Sequence, residues 1–231
     1  MTSTLRTRVT IVAAIACCGL AGPASHGDER APLALFNGKD LAGWTLFVDR
    51  KAEGYSPESS PDRVFTVVDG KIRISGERLG CLTTVEEFSD YKLRLEFRWG
   101  EKRWMPRERN VRDTGVLVHC TGPDKFWTKS IECQIQEHDC GDFWMVGGTT
   151  LAVDGKVEKS YRKKSRDAEK PLGEWNVVEV ICDGGKITNI INGVVVNQGT
   201  NASVTRGRIL LQSEGAEVFF RNIELTPLKS K

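Results

Sequence analysis

The sequence predicts an all-β fold, an antiparallel two-sheet sandwich of jelly-roll type, on three observations. Tyr91, Leu93, Leu95, Phe97 and Trp99 alternate with Lys92, Arg94, Glu96 and Arg98, the period of two that gives a strand one dry and one wet face. Asp69-Gly70, Asp183-Gly184-Gly185 and Asn192-Gly193 each stand between short β-rich runs, where tight hairpin turns belong. No stretch carries the 3.6-residue apolar spacing of an amphipathic helix, and many hairpin-spaced strands pack most simply as two facing sheets.

Taken in order, the expected strands are 64–68 and 71–75, joined at Asp69-Gly70, then 91–99, 115–120 and 131–138. After them come 175–182, 186–191, 194–197, 208–213 and 218–225. A short helical turn is expected at 85–89, with Thr84 as its cap and Glu86 and Glu87 in the first turn. Residues 100–112 and 156–170 are charged and patternless, so they are expected as solvated loops. No linker divides the chain, and residues 33–228 are expected to form one domain.

Composition narrows the function. The 231 residues are 39% hydrophobic and 28% charged, as in a folded globular protein. Lys and Arg total 33 against 31 Asp and Glu, a balance that argues against nucleic acid or an anionic membrane as partner. Arg6 and Arg8 precede an apolar run from Val9 to Ala21 with small residues at Ala21 and Ala24. Residues 1–24 therefore read as a signal peptide, too short for a membrane span, and an exported, periplasmic or extracellular protein is expected. Ala14-Ile15-Ala16 before Cys17 is a poor lipobox, which disfavours lipid anchoring. Five cysteines follow the signal, and Cys120 with Cys133 or Cys140 is the first expected disulfide.

One strand differs in what its faces hold. Ile131, Cys133 and Ile135 are apolar, while Glu132, Gln134, Gln136 and His138 fall on the opposite face. A carboxylate, two amides and an imidazole in one row can meet many hydroxyls at once, as a sugar ligand demands. Trp104, Trp127 and Trp144 are candidate stacking platforms for pyranose rings, whereas Trp44, Trp99 and Trp175 are expected in packing roles. His119 ends the neighbouring expected strand, out of phase with Val116 and Val118. Asp139 and Asp142 offer oxygens of the kind Ca²⁺ takes, but no Asp-x-Asp-x-Asp repeat exists, so a polar loop accounts for them better and no metal or cofactor is expected.

Several motifs resemble one family. Leu35-Phe36-Asn37-Gly38-Lys39-Asp40-Leu41-x-Gly43-Trp44, Asp113-Thr114-Gly115-Val116, Glu132-x-Gln134-Ile135, Gly173-Glu174-Trp175-Asn176, Ile191-Asn192-Gly193, Gly207-x-Ile209-x-Leu211-Gln212 and Phe220-Arg221-Asn222-Ile223 look like the 3-keto-disaccharide hydrolase domain. The resemblance implies a concanavalin A-like lectin/glucanase sandwich and cleavage of glycosides whose sugar is oxidised at C3. Glucanases of this type place two carboxylates on one strand, but Glu132-x-Gln134-x-Gln136 offers one, so the retaining two-carboxylate mechanism finds no support here. A 3-keto sugar does not need it, because the ketone acidifies the C2 proton and one base can start an elimination. Glu132 or His138 would be that base. His119, Lys129 or an arginine from Arg103 to Arg112 would polarise the ketone, with Gln134, Gln136 and the three tryptophans holding an oligosaccharide or glycoside substrate. The alternatives are a non-catalytic carbohydrate-binding module of the same fold and a cell-envelope interaction domain.

Overall fold

The computed structural model describes residues 31–55 and 58–229; the expected signal peptide lies outside them. In chain order the strands begin with β1 (Leu33–Ala34), β2 (Trp44–Val48), β3 (Phe65–Val68), β4 (Lys71–Ile74), β5 (Gly80–Thr84) and β6 (Tyr91–Arg103). Next come β7 (Asp113–Thr121), β8 (Lys129–Gln136), β9 (Phe143–Val146), β10 (Leu151–Val153), β11 (Lys156–Glu158) and β12 (Tyr161–Arg162). The chain closes with β13 (Asn176–Asp183), β14 (Lys186–Ile191), β15 (Val194–Gly199), β16 (Arg208–Ser213) and β17 (Ala216–Pro227). One helical turn, α1 (Pro61–Val64), enters β3 with proline at its start, where a missing N–H costs nothing.

Two antiparallel sheets face each other. One runs β15-β14-β13-β6-β17-β4-β3, with β1 added to β17; the other runs β12-β9-β8-β7-β16-β5-β2. Their inner faces meet in one apolar core that takes Leu93, Leu95 and Phe97 from β6, Val116 and Val118 from β7, Ile131, Cys133 and Ile135 from β8, and Ile209 and Leu211 from β16. The jelly-roll sandwich read from the alternation is therefore the fold.

The turns follow their residue types. Asp69-Gly70 and Asn192-Gly193 both have positive φ at each position, 47° and 72° in the first and 50° and 80° in the second, the backbone twist that matches two antiparallel strands. Asp154-Gly155 makes the same turn between β10 and β11, and β11 and β12 are strands within the stretch 156–170 expected to be loop. The expected helical turn at 85–89 does not form. Thr84 Oγ1 accepts the Ile209 amide at 2.9 Å and donates to the Glu86 carbonyl at 2.9 Å, while Phe88 bridges Gly207. The would-be cap is committed to the sheet.

Three more expectations are corrected. Cys81, Cys120, Cys133, Cys140 and Cys182 are all free and buried. Cys133 and Cys140 point into the intersheet core, but Cys120 lies on the other face of its sheet with Cys81, Leu117 and Leu210, so a sheet separates the expected partners. Trp44 and Trp99 are core residues, whereas Trp175 is half-buried on the outer surface, with the Arg221 guanidinium 3.9 Å and that of Arg98 5.0 Å from its ring centre. The loop expected from residue 100 begins only after Arg103, because β6 runs on to pair with Ala216.

Phe97 is completely buried between the sheets. Phe97→Ala is expected to lower unfolding free energy by about 3–5 kcal/mol, measured as a shift of the urea midpoint at constant m-value.

Candidate active site

The two-residue alternation that sends Ile131, Cys133 and Ile135 inward puts Glu132, Gln134 and Gln136 on the outer face of the seven-stranded sheet. Cross-strand pairing sets Leu117, Gly115 and Asp113 of β7 opposite them in that order. On the far side of β7, Leu210 and Gln212 of β16 share this face, and Glu214 follows them. Gly115 is the opening in the middle. A Cβ there would stand 2.0 Å from Glu132 Oε1 and 2.4 Å from Gln212 Oε1, so only glycine lets these two side chains meet over the strand.

A loop from Trp104 to Arg112 closes one end. Arg107 forks between two carboxylates, donating through Nη2 to Asp113 Oδ2 at 2.6 Å and through Nη1 to Glu214 Oε1. Gln134 and Gln136 donate to the two oxygens of Asp113 at 3.2 and 2.8 Å. Trp104 anchors the loop by donating its indole N–H to the Ser75 carbonyl at 2.9 Å. A second loop, 122–128, lies over the rest of the face. Asp124 accepts from Thr45 Oγ1 at 2.8 Å and pairs with Arg208 at 2.7 Å, and the Phe126 carbonyl accepts from Gln212 Nε2 at 3.4 Å.

Under these loops Glu132 is only 2% exposed. Among the described residues none hydrogen-bonds its carboxyl, and no cation pairs with it. Burial, then repulsion from Glu214 and Asp113, pushes its pKa well above the usual carboxylate range. Burial also raises Glu214 to about 8 and lifts Asp113, against the pull of Arg107. Arg107 thus holds two of the three carboxyls and leaves Glu132 without a cation. Two buried acceptors on the same face, Gln134 Oε1 and Gln212 Oε1, have no partner, so Glu132 stands among unused hydrogen-bonding capacity.

Aromatic rings flank the carboxyl on the other side. Trp144 of β9 sits directly opposite Glu132 in the ladder, and Tyr161 of β12 sits opposite Trp144. Trp127, 55% exposed, stacks between Phe126 and Trp144 with ring centres 5.6 and 6.5 Å away. Trp144 meets Tyr161 at 4.8 Å, giving a continuous shelf of four rings.

The sequence candidates divide accordingly. Glu132, Gln134, Gln136, Trp127 and Trp144 come together. His119 does not: a bulge between Val118 and Thr121 gives it a φ of 55°, and its ring is buried against Tyr91 with nitrogens 3.2 and 3.1 Å from the Val204 and Ser89 carbonyls. His138 also leaves the row, because β8 ends at Gln136 and the next turn carries its exposed side chain to a separate cleft beside Trp99 and Glu169. Lys129 is exposed at the start of β8, in phase with Ile131 and thus with the opposite side. Trp104 lies on the Arg107 flank away from the aromatic shelf, and exposed Arg103 donates to the Asn110 carbonyl at 3.1 Å. Asp113, Glu214 and Tyr161 were missed. Asp113 shares the phase of Gly115, and Glu214 that of Gln212, which was the available signal.

The acidic turn after β8 does not fit a cation. Asp142 accepts from the Tyr161 hydroxyl and, at 2.8 Å, from the Lys164 amide, while the Lys164 ammonium lies 3.7 Å from Asp139 and 4.0 Å from Asp142. Its charge is met from within the chain. No helix among the described residues is long and apolar enough to cross a membrane.

Known structures share this architecture. A putative glycosyl hydrolase from Parabacteroides distasonis ATCC 8503 is 22% identical, over 86% of this chain and all of its own, with a TM-score of 0.59. A β-glucanase from Bacillus licheniformis is 13% identical over 85% of this chain and 97% of its own, at 0.52. The carbohydrate-binding module CBM66 from Bacillus subtilis is 12% identical over 78% and 93%, also at 0.52. At these identities the likeness is one of fold. No curated protein matches the sequence. A family model described as the 3-keto-alpha-glucoside-1,2-lyase-like domain matches residues 32–226, from just before β1 to the end of β17, and the chain belongs to that family.

Proposed function

We propose that this protein cleaves the glycosidic bond of 3-keto-glycosides by elimination across C1 and C2, with Glu132 as the base. The observation that carries the reading is a buried carboxyl without a counter-cation, set between a polar cluster and an aromatic shelf. A carboxylate whose pKa is raised by burial is a stronger base than an exposed one, which suits the weakly acidic C–H beside a ketone. Glu132 takes the C2 proton, and the electron pair moves onto the C3 oxygen as an enediolate. When the C3 carbonyl re-forms, the C1–O bond breaks and the aglycone leaves with its electron pair, taking a proton from Glu132 or water. Water then adds across C1 and C2 to give the free 3-keto sugar. Arg107 is the nearby cation for the developing C3 oxyanion, and the free amide oxygens of Gln134 and Gln212 suit sugar hydroxyls. The near-complete cover over Glu132 requires loop 104–112 or 122–128 to move for substrate entry.

The same cover favours a second reading, a binding module that uses only its exposed aromatic shelf, as the likeness to CBM66 suggests. Product formation separates the two. The enzyme reading expects turnover of a 3-keto-glucoside, little or none of the unoxidised glucoside, and a slower reaction with deuterium at C2. Glu132→Gln should lower kcat by about 10²-fold or more while leaving KM similar, since an amide keeps the shape but cannot take a proton. Equal rates on oxidised and unoxidised sugars without an isotope effect would overturn the mechanism.

Two further outcomes follow from the environment of Glu132. The base must be ionised, so kcat/KM should rise with pH through an apparent pKa above the ordinary 4.5 of a glutamate. For stability the sign is opposite. Between that unfolded-state value and the raised native one the folded protein binds the extra proton, so stability falls as pH rises, and Glu132→Gln should flatten this slope in urea titrations at several pH values. Gly115→Ala, whose methyl collides with Glu132 and Gln212, is expected to cost about 1–3 kcal/mol of stability, with a larger loss of activity than its change in melting temperature explains.

A further inference from the structure

We infer that the aromatic shelf is the aglycone subsite and that it selects an aryl aglycone, a phenolic ring linked through oxygen to C1, over an alkyl group or a second sugar. The inference rests on the elimination reading above and gives the site a direction. In a 3-keto-glycoside C2 lies between the ketone at C3 and the leaving group at C1, so a base at C2 must have the ketone's partners on one side and the aglycone's on the other.

Glu132 stands at such a boundary. Along β8, away from the shelf, lie Gln134 and Gln136, both bonded to Asp113, with Arg107 beyond. Level with Glu132 and across the ladder is Trp144, continued by Trp127 and Tyr161. The polar end suits an oxygen gaining charge and the aromatic end a flat apolar group.

The chemistry of departure favours a phenol in particular. Phe126, Trp127 and Trp144 cannot protonate a leaving oxygen, and the Tyr161 hydroxyl donates to Asp142. Asp113 and Glu214 are held by Arg107 at the opposite end. A phenolate departs without a proton, whereas an alkoxide from an alkyl group or a sugar must take one, which on this side only Glu132, protonated from C2, or water would supply. Stacking on indole further rewards a flat ring.

The test compares 4-nitrophenyl 3-keto-glucoside, methyl 3-keto-glucoside and a 3-keto-disaccharide on the whole protein, alongside Trp127→Ala and Trp144→Phe. The expected result is kcat/KM for the aryl substrate at least roughly tenfold above both others, with the preference reduced in Trp127→Ala through a higher KM. Leaving-group ability alone would also favour nitrophenol, so 4-methoxyphenyl and cyclohexyl 3-keto-glucosides are added; the methoxyphenyl preference over cyclohexyl should shrink in both variants. Equal turnover of all substrates, or a preference unchanged by either variant, would overturn the subsite while leaving the elimination reading intact. Absence of turnover on every 3-keto substrate would overturn both.

Discussion

Strand β8 has to serve two environments at once. Its inward residues complete a dry core between the sheets, and its outward residues lie under two loops where water is nearly as scarce. Isolated ionised carboxyls in such surroundings cost several kcal/mol, so a buried one is held neutral or paired. Gly115 leaves room for Glu132, and Arg107 is drawn to Asp113 and Glu214 instead. The raised pKa, the unused amide oxygens and the placement of the loops all depend on that arrangement.

The arrangement also sets this site apart from the two-carboxylate pattern of sandwich glucanases. Such a mechanism divides its labour between a nucleophile and an acid about 5–5.5 Å apart on either side of the bond. Here the strand that carries Glu132 continues with glutamines, and the other carboxyls are tied to Arg107. A single unpaired carboxyl suits chemistry in which the substrate itself supplies the activation, as a ketone next to the C2 proton does. Likeness of fold to a glucanase therefore carries little weight about mechanism, and the side chains on the outer face carry more.

Two loops with different anchors form the roof. Loop 104–112 is fastened by charge, through Arg107, and by the indole of Trp104 on Ser75. Loop 122–128 is fastened by Asp124 on Thr45 and Arg208, and by a longer hydrogen bond from Gln212. Loops of this kind over a rigid sheet are where substrate access is controlled, while the sheet itself, with β7 paired to β8 on one side and β16 on the other, fixes the outer face that carries Glu132.

The sequence by itself determined what is local. Alternation is a property of neighbouring residues, so the faces of β6 and β8 could be read directly, as could turns whose Asp-Gly and Asn-Gly pairs tolerate positive φ. The same locality explains the failures. Strand β5, Gly80–Thr84, is buried on both faces and so shows no alternation to read. The bulge at His119 changes the phase of β7 in mid-strand and turns an expected site residue into the sandwich. Cys120 and Cys133 look like neighbours in the chain, but a sheet stands between their side chains. Only the tertiary structure decided that Arg107 would meet Glu214, 107 positions away, that Asp113 would gather two glutamines, and that Glu132 would be left without a partner. Those outcomes depend on which strands lie side by side, and hydrophobic periodicity along one strand contains no record of its neighbours.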